Sequence, residues 1–236
     1  MLSEAASKDP AMSGQLDYAR IDNDFYPTPV KFVHCLAAHY PLFARNWWEP
    51  AVGEGHIAFE VERLSHRPVT MSDIVRYPKL GDAEMTVADF LTMETAPEGV
   101  TGIITNPPYL TVNVEGDPEW TYLAPLCKRY GMKRLKKISL AELFLRHALH
   151  LMKPVQGSVA MFLRNEFDCG KGRMDLFANN PAYYMKVVCT ERPRWIEGST
   201  GSPRHNYSWF VFDFINDGGP FVRYSHPDLA KPLGVN

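Results

Sequence analysis

Four consecutive residues, Asn106-Pro107-Pro108-Tyr109, combine types that can hold a planar amino group. Two prolines remove two backbone N–H donors and keep the chain extended, so the Pro107 carbonyl becomes a fixed acceptor. The Asn106 side-chain oxygen supplies a second acceptor. Two acceptors side by side match the two hydrogens of an exocyclic –NH2 group, and Tyr109 offers a face on which a planar ring can stack. The competing reading of these residues is a rigid turn at a strand end.

Three further features lie upstream. Glu49-Pro50-Ala51-Val52-Gly53-Glu54-Gly55 falls between a strand pattern and a helix pattern, where two glycines let backbone N–H groups approach a ligand closely. Alone, such a turn is common. Asp73 ends the next strand pattern, twenty residues after Gly53, the offset at which a carboxylate accepts from the hydroxyls of a ribose. Asp89-Phe90 follows a third strand pattern. Its carboxylate suits an adenine amino group with the Phe90 ring packed alongside, or else it caps a helix.

These residues need a scaffold that brings strand ends together. After Pro29, Val33, Leu36, Ala37 and Tyr40 keep helical spacing, as do Ile57, Val61 and Leu64. Residues 46–49, 69–72, 85–87 and 100–105 read as strands. Ser139 to Met152 is the clearest helix, with Ser139 and Glu142 at capping-box spacing and Pro154 and Gly157 beyond its end. Residues 158–163, 185–189 and 207–215 complete about seven strands. Strands alternating with helices predict an α/β fold with a mostly parallel, doubly wound sheet. Residues 1–20 read as a flexible leader, 21–220 as the domain and 221–236 as a tail.

Composition narrows the class. The chain has 236 residues, 45% of them hydrophobic, enough to fill a sizeable core. Lys and Arg number 25 against 27 Asp and Glu, a net charge of -2 that argues against binding nucleic acid through an overall positive field. No apolar run reaches the roughly 18 residues of a membrane span. Cys35, Cys127, Cys169 and Cys189 form no CxxC pair, so reduced thiols and a cytoplasmic setting are expected, with no metal. His56, His205 and the other histidines show no metal-ligand spacing.

Taken in order, these motifs resemble those of the S-adenosylmethionine-dependent amino-methyltransferases, chiefly the adenine-N6 DNA methyltransferases. Asn106 to Tyr109 resembles their catalytic motif, and Glu49 to Gly55 their cofactor loop in the Glu-Pro-Ala form frequent in type I, type II gamma and phage-borne members. Asp24-Phe25-Tyr26-Pro27-Thr28-Pro29 resembles the segment that covers the methionine end of the cofactor. The resemblance implies a Rossmann-like class I methyltransferase fold whose seventh strand is antiparallel. It implies a cofactor site of Tyr26, Pro27, Thr28, Glu49, Pro50, Ala51, Gly53, Gly55, His56, Asp73, Ile74, Asp89, Phe90 and Asn106. It further implies methyl transfer to a flipped-out adenine in DNA, stacked on Tyr109, in a restriction-modification or phage-like setting. RNA bases, or a protein glutamine amide, are substrates of the same chemistry. A nucleic-acid-binding subunit with a silent cofactor site is the non-enzymatic alternative.

Substrate contacts are expected from two insertions, 111–138 and 191–206. Lys128, Arg129, Lys133, Arg134, Lys136 and Lys137 fall within ten residues that contain no acid, which suits a phosphate-binding arm or a solvated loop. Arg192, Arg194, Trp195 and Arg204 flank Gly198-Ser199-Thr200-Gly201-Ser202, which suits strand contact or an ordinary mobile loop. The family's separate recognition domain has no counterpart in these residues, so any specificity is expected from the two insertions.

Overall fold

The computed structural model describes residues 26–132, 135–195, 202–216 and 218–234. The expected leader, together with Lys133, Arg134 and the glycine loop 198–201, lies outside the described residues.

The chain runs through α1 (Lys31–Ala37), β1 (Trp47–Glu49), α2 (His56–Ser65), β2 (Thr70–Asp73), β3 (Thr86–Val87) and β4 (Gly102–Thr105). A small hairpin of β5 (Thr111–Val112) and β6 (Ile138–Ser139) brackets the short helix α3 (Ala124–Arg129). Then follow α4 (Leu140–Met152), β7 (Ser158–Arg164), β8 (Tyr183–Cys189), β9 (Tyr207–Asp213) and β10 (Phe221–Ser225).

Eight strands form one sheet in the order β10-β8-β9-β7-β4-β1-β2-β3. The pairs from β3 across to β7 are parallel. Strand β9 runs antiparallel to both its neighbours, β7 and β8. All seven expected strands are present, and the antiparallel one is the seventh. The eighth, β10, lies in the segment read as a tail and pairs parallel to β8. It escaped the sequence pattern because it is an edge strand with only Ser225 buried, so neither alternation nor an apolar run marks it.

Both faces of the sheet are covered, which is why the central strands are continuous apolar runs. Successive residues point to opposite faces. Trp48, Ile103 and Val159 join the layer built on α4, whereas Trp47, Ile104 and Ala160 join the layer built on α1 and α2. Each fully buried indole N–H has an acceptor: Trp47 donates to the Leu42 carbonyl at 2.7 Å, Trp48 to Ser72 Oγ at 2.9 Å and Trp209 to the Phe32 carbonyl at 2.7 Å. Ser139 caps α4 as its sequence suggested, accepting from the Glu142 N–H. No helix among the described residues is long and apolar enough to cross a membrane.

Candidate functional site

A cavity of about 460 Å3 opens at the carboxyl ends of β1, β2 and β4, where ligands bind in open α/β sheets. Its floor is the turn after β1. Gly53 (φ 54°) and Gly55 (φ 85°) both adopt left-handed backbone, which only glycine takes without strain. Gly55 is the N-cap residue of α2 and stands behind the cavity wall, while Glu49, Pro50, Ala51 and Gly53 line it. The Gly53 N–H donates to Asp73 Oδ2 at 2.8 Å, tying the turn to the end of β2.

Two buried carboxylates therefore face one cavity. Glu49 is 2% exposed, and its Oε2 accepts the Ala58 N–H of α2 at 2.7 Å. Burial pushes its carboxyl well above the usual range, and the nearby charge of Asp73 adds to that. Asp73 is also raised by burial, although the N–H groups of Gly53, Val75 and Ile74 pull it back. Both are acceptors that gain by meeting hydroxyl or cationic donors. His56, in the first turn of α2, lines the same space, and burial pushes its imidazole below the ordinary value. Ile74 stands at the rim, 56% exposed.

Asp89 fills the capping alternative. Its Oδ1 accepts the Leu91 N–H at 2.9 Å at the start of a single 3-10 turn, residues 90–92. Its Oδ2 accepts the Tyr122 hydroxyl at 2.8 Å. The residue still borders the cavity, next to the Phe90 ring. Phe90 is anchored from behind by Trp48, Phe144 and His147, with ring centroids 4.8–5.3 Å away.

Asn106 follows β4. Its Nδ2 donates to the Tyr26 carbonyl at 3.2 Å, which brings the 26–28 segment over the cavity, and Tyr26, Pro27 and Thr28 all line it. Asn106 Oδ1 is buried and has no hydrogen-bond partner among the described residues. An unpaired buried acceptor is costly, so this oxygen is open to a donor from a ligand or a water. Pro108 lines the cavity, whereas Pro107 is buried and, like Tyr109, is not part of its wall. The Tyr109 hydroxyl donates to the Phe162 carbonyl at 2.5 Å, and its ring meets Tyr207 edge-on at 5.8 Å. The half-buried ring thus lies against β7 and β9, outside the wall of this cavity.

The expected basic patches divide. Lys128, Lys136 and Lys137 are exposed. Arg129 pairs with exposed Glu94 at 3.1 Å. Arg192 spends its guanidinium on Asn206 Oδ1 at 3.0 Å and the Pro203 carbonyl at 3.1 Å, bracing the loop before β9. Arg194 and Arg204 are exposed on the same loop pair. Trp195 packs on Tyr26, Phe162 and Tyr207, and so helps to seat the segment over the cavity. One grouping with metal-ligand geometry, Glu191, His226 and Asp228, is bridged by the Lys31 ammonium, 2.8 Å from Glu191 and 3.1 Å from Asp228.

Sequence reasoning missed part of the cavity wall: Tyr77, Leu110, Glu119, Trp120, Tyr122 and Phe144. A signal existed for part of it. Trp120 and Tyr122 are large aromatics in an otherwise polar loop that opens on Asp117-Pro118, a turn former.

No protein-family model matches the chain, and no curated protein does either. Solved structures do. A class I S-adenosylmethionine-dependent methyltransferase, described as putative, from Listeria monocytogenes superposes with a TM-score of 0.60 at 14% identity, over 87% of this chain and 67% of that one. The methyltransferase subunit of a type I restriction-modification system from Streptococcus thermophilus gives 0.57 at 14% identity, over 85% of this chain. The DrdV–DNA complex gives 0.52 at 14% identity, over 85% of this chain. This chain spans 47% of the Streptococcus subunit and 27% of the DrdV chain. Likeness at these identities is likeness of fold, and with the antiparallel β9 inserted between β7 and β8 that fold is the class I methyltransferase fold.

Proposed function

We propose that this chain transfers a methyl group from S-adenosylmethionine to the exocyclic N6 amino group of adenine in DNA. The observation that carries the reading is the unpartnered, buried Asn106 Oδ1 at the end of β4, beside the cavity. The fold supports it. Two of the similar structures, a restriction-modification methyltransferase subunit and a DNA complex, support DNA as the substrate class.

The residues present fit the cofactor. The cavity volume lies in the range that holds drug-sized ligands, roughly 300–1,000 Å3. Asp73 would take the ribose hydroxyls with Oδ1 and the free lone pair of Oδ2. Asp89 and Phe90 would meet the adenine, and Glu49 with Tyr26 to Thr28 would surround the methionine end. When bound, S-adenosylmethionine supplies an electrophilic methyl group on a positively charged sulfur.

What this chain contributes is position and charge stabilisation. An adenine amino nitrogen is a poor nucleophile because its lone pair is delocalised into the ring. Asn106 Oδ1 and the Pro107 carbonyl, each accepting one N–H, would favour a tetrahedral nitrogen whose lone pair points away from both. They would also stabilise the positive charge that develops there. The Asn106 side chain is already oriented by its Nδ2 bond to Tyr26, so little reorganisation is needed. In a duplex the base must be unstacked first, at a cost of a few kcal/mol. Lys128, Lys136 and Lys137, all exposed, would hold phosphates while that happens.

The test is to express the protein in a host free of DNA methylation and to analyse its nucleosides. N6-methyladenine in DNA, in a defined sequence context, is expected. Unmodified DNA alongside new methylation of RNA bases or of a protein glutamine would overturn the DNA reading.

A further inference from the structure

The insertion between β5 and β6 reads in sequence as an arm for nucleic acid. The structure ties its Tyr122 and Arg129 to the 89–94 turn and its Tyr130 to α4. The Tyr122 hydroxyl donates to Asp89 Oδ2 at 2.8 Å, Arg129 pairs with Glu94 at 3.1 Å, and the Tyr130 hydroxyl pairs with His147 Nδ1 at 2.7 Å. His147 in turn meets Phe90 edge-on at 4.8 Å. The turn that carries Trp120 and Tyr122 is stiffened locally. Asp117 Oδ1 accepts the Glu119 N–H, the Asp117 carbonyl accepts that of Trp120, and the Trp120 carbonyl accepts that of Leu123, at 3.0–3.1 Å. Trp120 and Tyr122 thereby join Asp89 and Phe90 at one end of the cavity.

Asp89 is held from two sides. Oδ1 takes the Leu91 N–H, Oδ2 takes the Tyr122 hydroxyl, and each oxygen keeps a second lone pair. A carboxylate pinned in this way cannot swing aside. A purine with a 6-amino group can donate to it, whereas a 6-oxo group would set one acceptor against another. A carboxylate held only through Oδ1 can rotate and relieve that repulsion. Burial, together with the adjacent carboxylate, pushes the Tyr122 hydroxyl above its ordinary pKa, so it stays a donor.

We propose that Tyr122 is a positioning residue that fixes Asp89 as a rigid acceptor selecting a 6-aminopurine, with Trp120 as the wall against the ring. The ligand's identity rests on the methyl-transfer reading above, in which this purine is the adenine of the cofactor.

Calorimetric titration with S-adenosylhomocysteine and with its 6-oxo analogue, S-inosylhomocysteine, tests it. Wild-type protein binds the 6-amino ligand more tightly. Tyr122→Phe keeps the ring and loses about tenfold of that preference, the worth of one hydrogen bond to a charged group. Asp89→Ala abolishes the preference, and adding Tyr122→Phe to it changes nothing further. Trp120→Ala weakens both ligands alike. An unchanged preference in Tyr122→Phe overturns the proposal, as does an effect fully additive with that of Asp89→Ala, provided unfolding curves show each variant folded. Wild-type protein that binds neither ligand overturns the methyl-transfer reading itself, a result distinct from tight binding without the Tyr122 effect.

Discussion

At the scale of single residues, the site is fixed by backbone conformation and by buried acceptors. Gly55 has φ 85°, and a Cβ there would stand 2.4 Å from the Phe59 ring. Gly55→Ala should therefore cost about 1–2 kcal/mol of stability and displace the cofactor turn, seen as a lower urea midpoint together with weaker S-adenosylhomocysteine binding. Asp73→Ala removes the acceptor for the Gly53 N–H as well as the proposed ribose contacts, and should weaken that ligand by tenfold or more, about the loss of one charge-assisted hydrogen bond. An unchanged affinity by calorimetry would remove Asp73 from the site. His147 supplies a pH signature. Burial pushes its imidazole down to about 4. The unfolded chain, near 6.5, takes up a proton that the folded chain refuses, so stability is lost as pH falls from about 6.5 toward 4. By pH 5 that loss is about 2 kcal/mol. His147→Gln should flatten this share of the pH profile of urea unfolding.

At the scale of elements, legibility in the sequence depended on burial. The central strands β4, β7 and β9 and helix α4 were readable because burial on both sheet faces demands continuous apolar runs and a broad helical stripe, and because Ser139 with Glu142 is a capping signal. Asp73 and the Asn106 motif were readable as candidates because strand ends carry ligands in such sheets. What failed to show was set by tertiary contacts. Edge strand β10 buries one residue and leaves no pattern. The orientation of Tyr109 is decided by a hydrogen bond to Phe162, a residue 53 positions away. Glu119, Trp120 and Tyr122 add to the cavity wall because the Tyr122 hydroxyl finds Asp89, 33 positions away. The exposed lysines keep the phosphate-contact proposal testable at this scale. Replacing Lys128, Lys136 and Lys137 with Glu should lower DNA affinity and reduce the salt slope by about one per lost phosphate contact. An unaltered slope would make them a solvated surface.

At the scale of the molecule, a buried ion pair and the cavity sit at opposite ends of the sheet. Asp213, 1% exposed at the end of β9, pairs with Ser158 at the start of β7, away from the carboxyl ends that carry the cavity. It accepts from the Tyr40 hydroxyl, from Arg45 at 3.0 Å and from the Ile215 N–H at 2.9 Å. Arg45→Met should leave this carboxylate buried without its cation and cost about 3 kcal/mol, with S-adenosylhomocysteine affinity retained in the folded fraction. The central claim concerns Asn106, and one measurement addresses it most directly: transfer of tritiated methyl from S-adenosylmethionine to DNA, RNA and protein by wild type and by Asn106→Ala. The account predicts label on adenine N6 of DNA with wild type and a loss of about a hundredfold or more in the variant, the scale of removing one preorganised transition-state contact. Equal labelling by the two proteins, or label confined to RNA or protein, would contradict it.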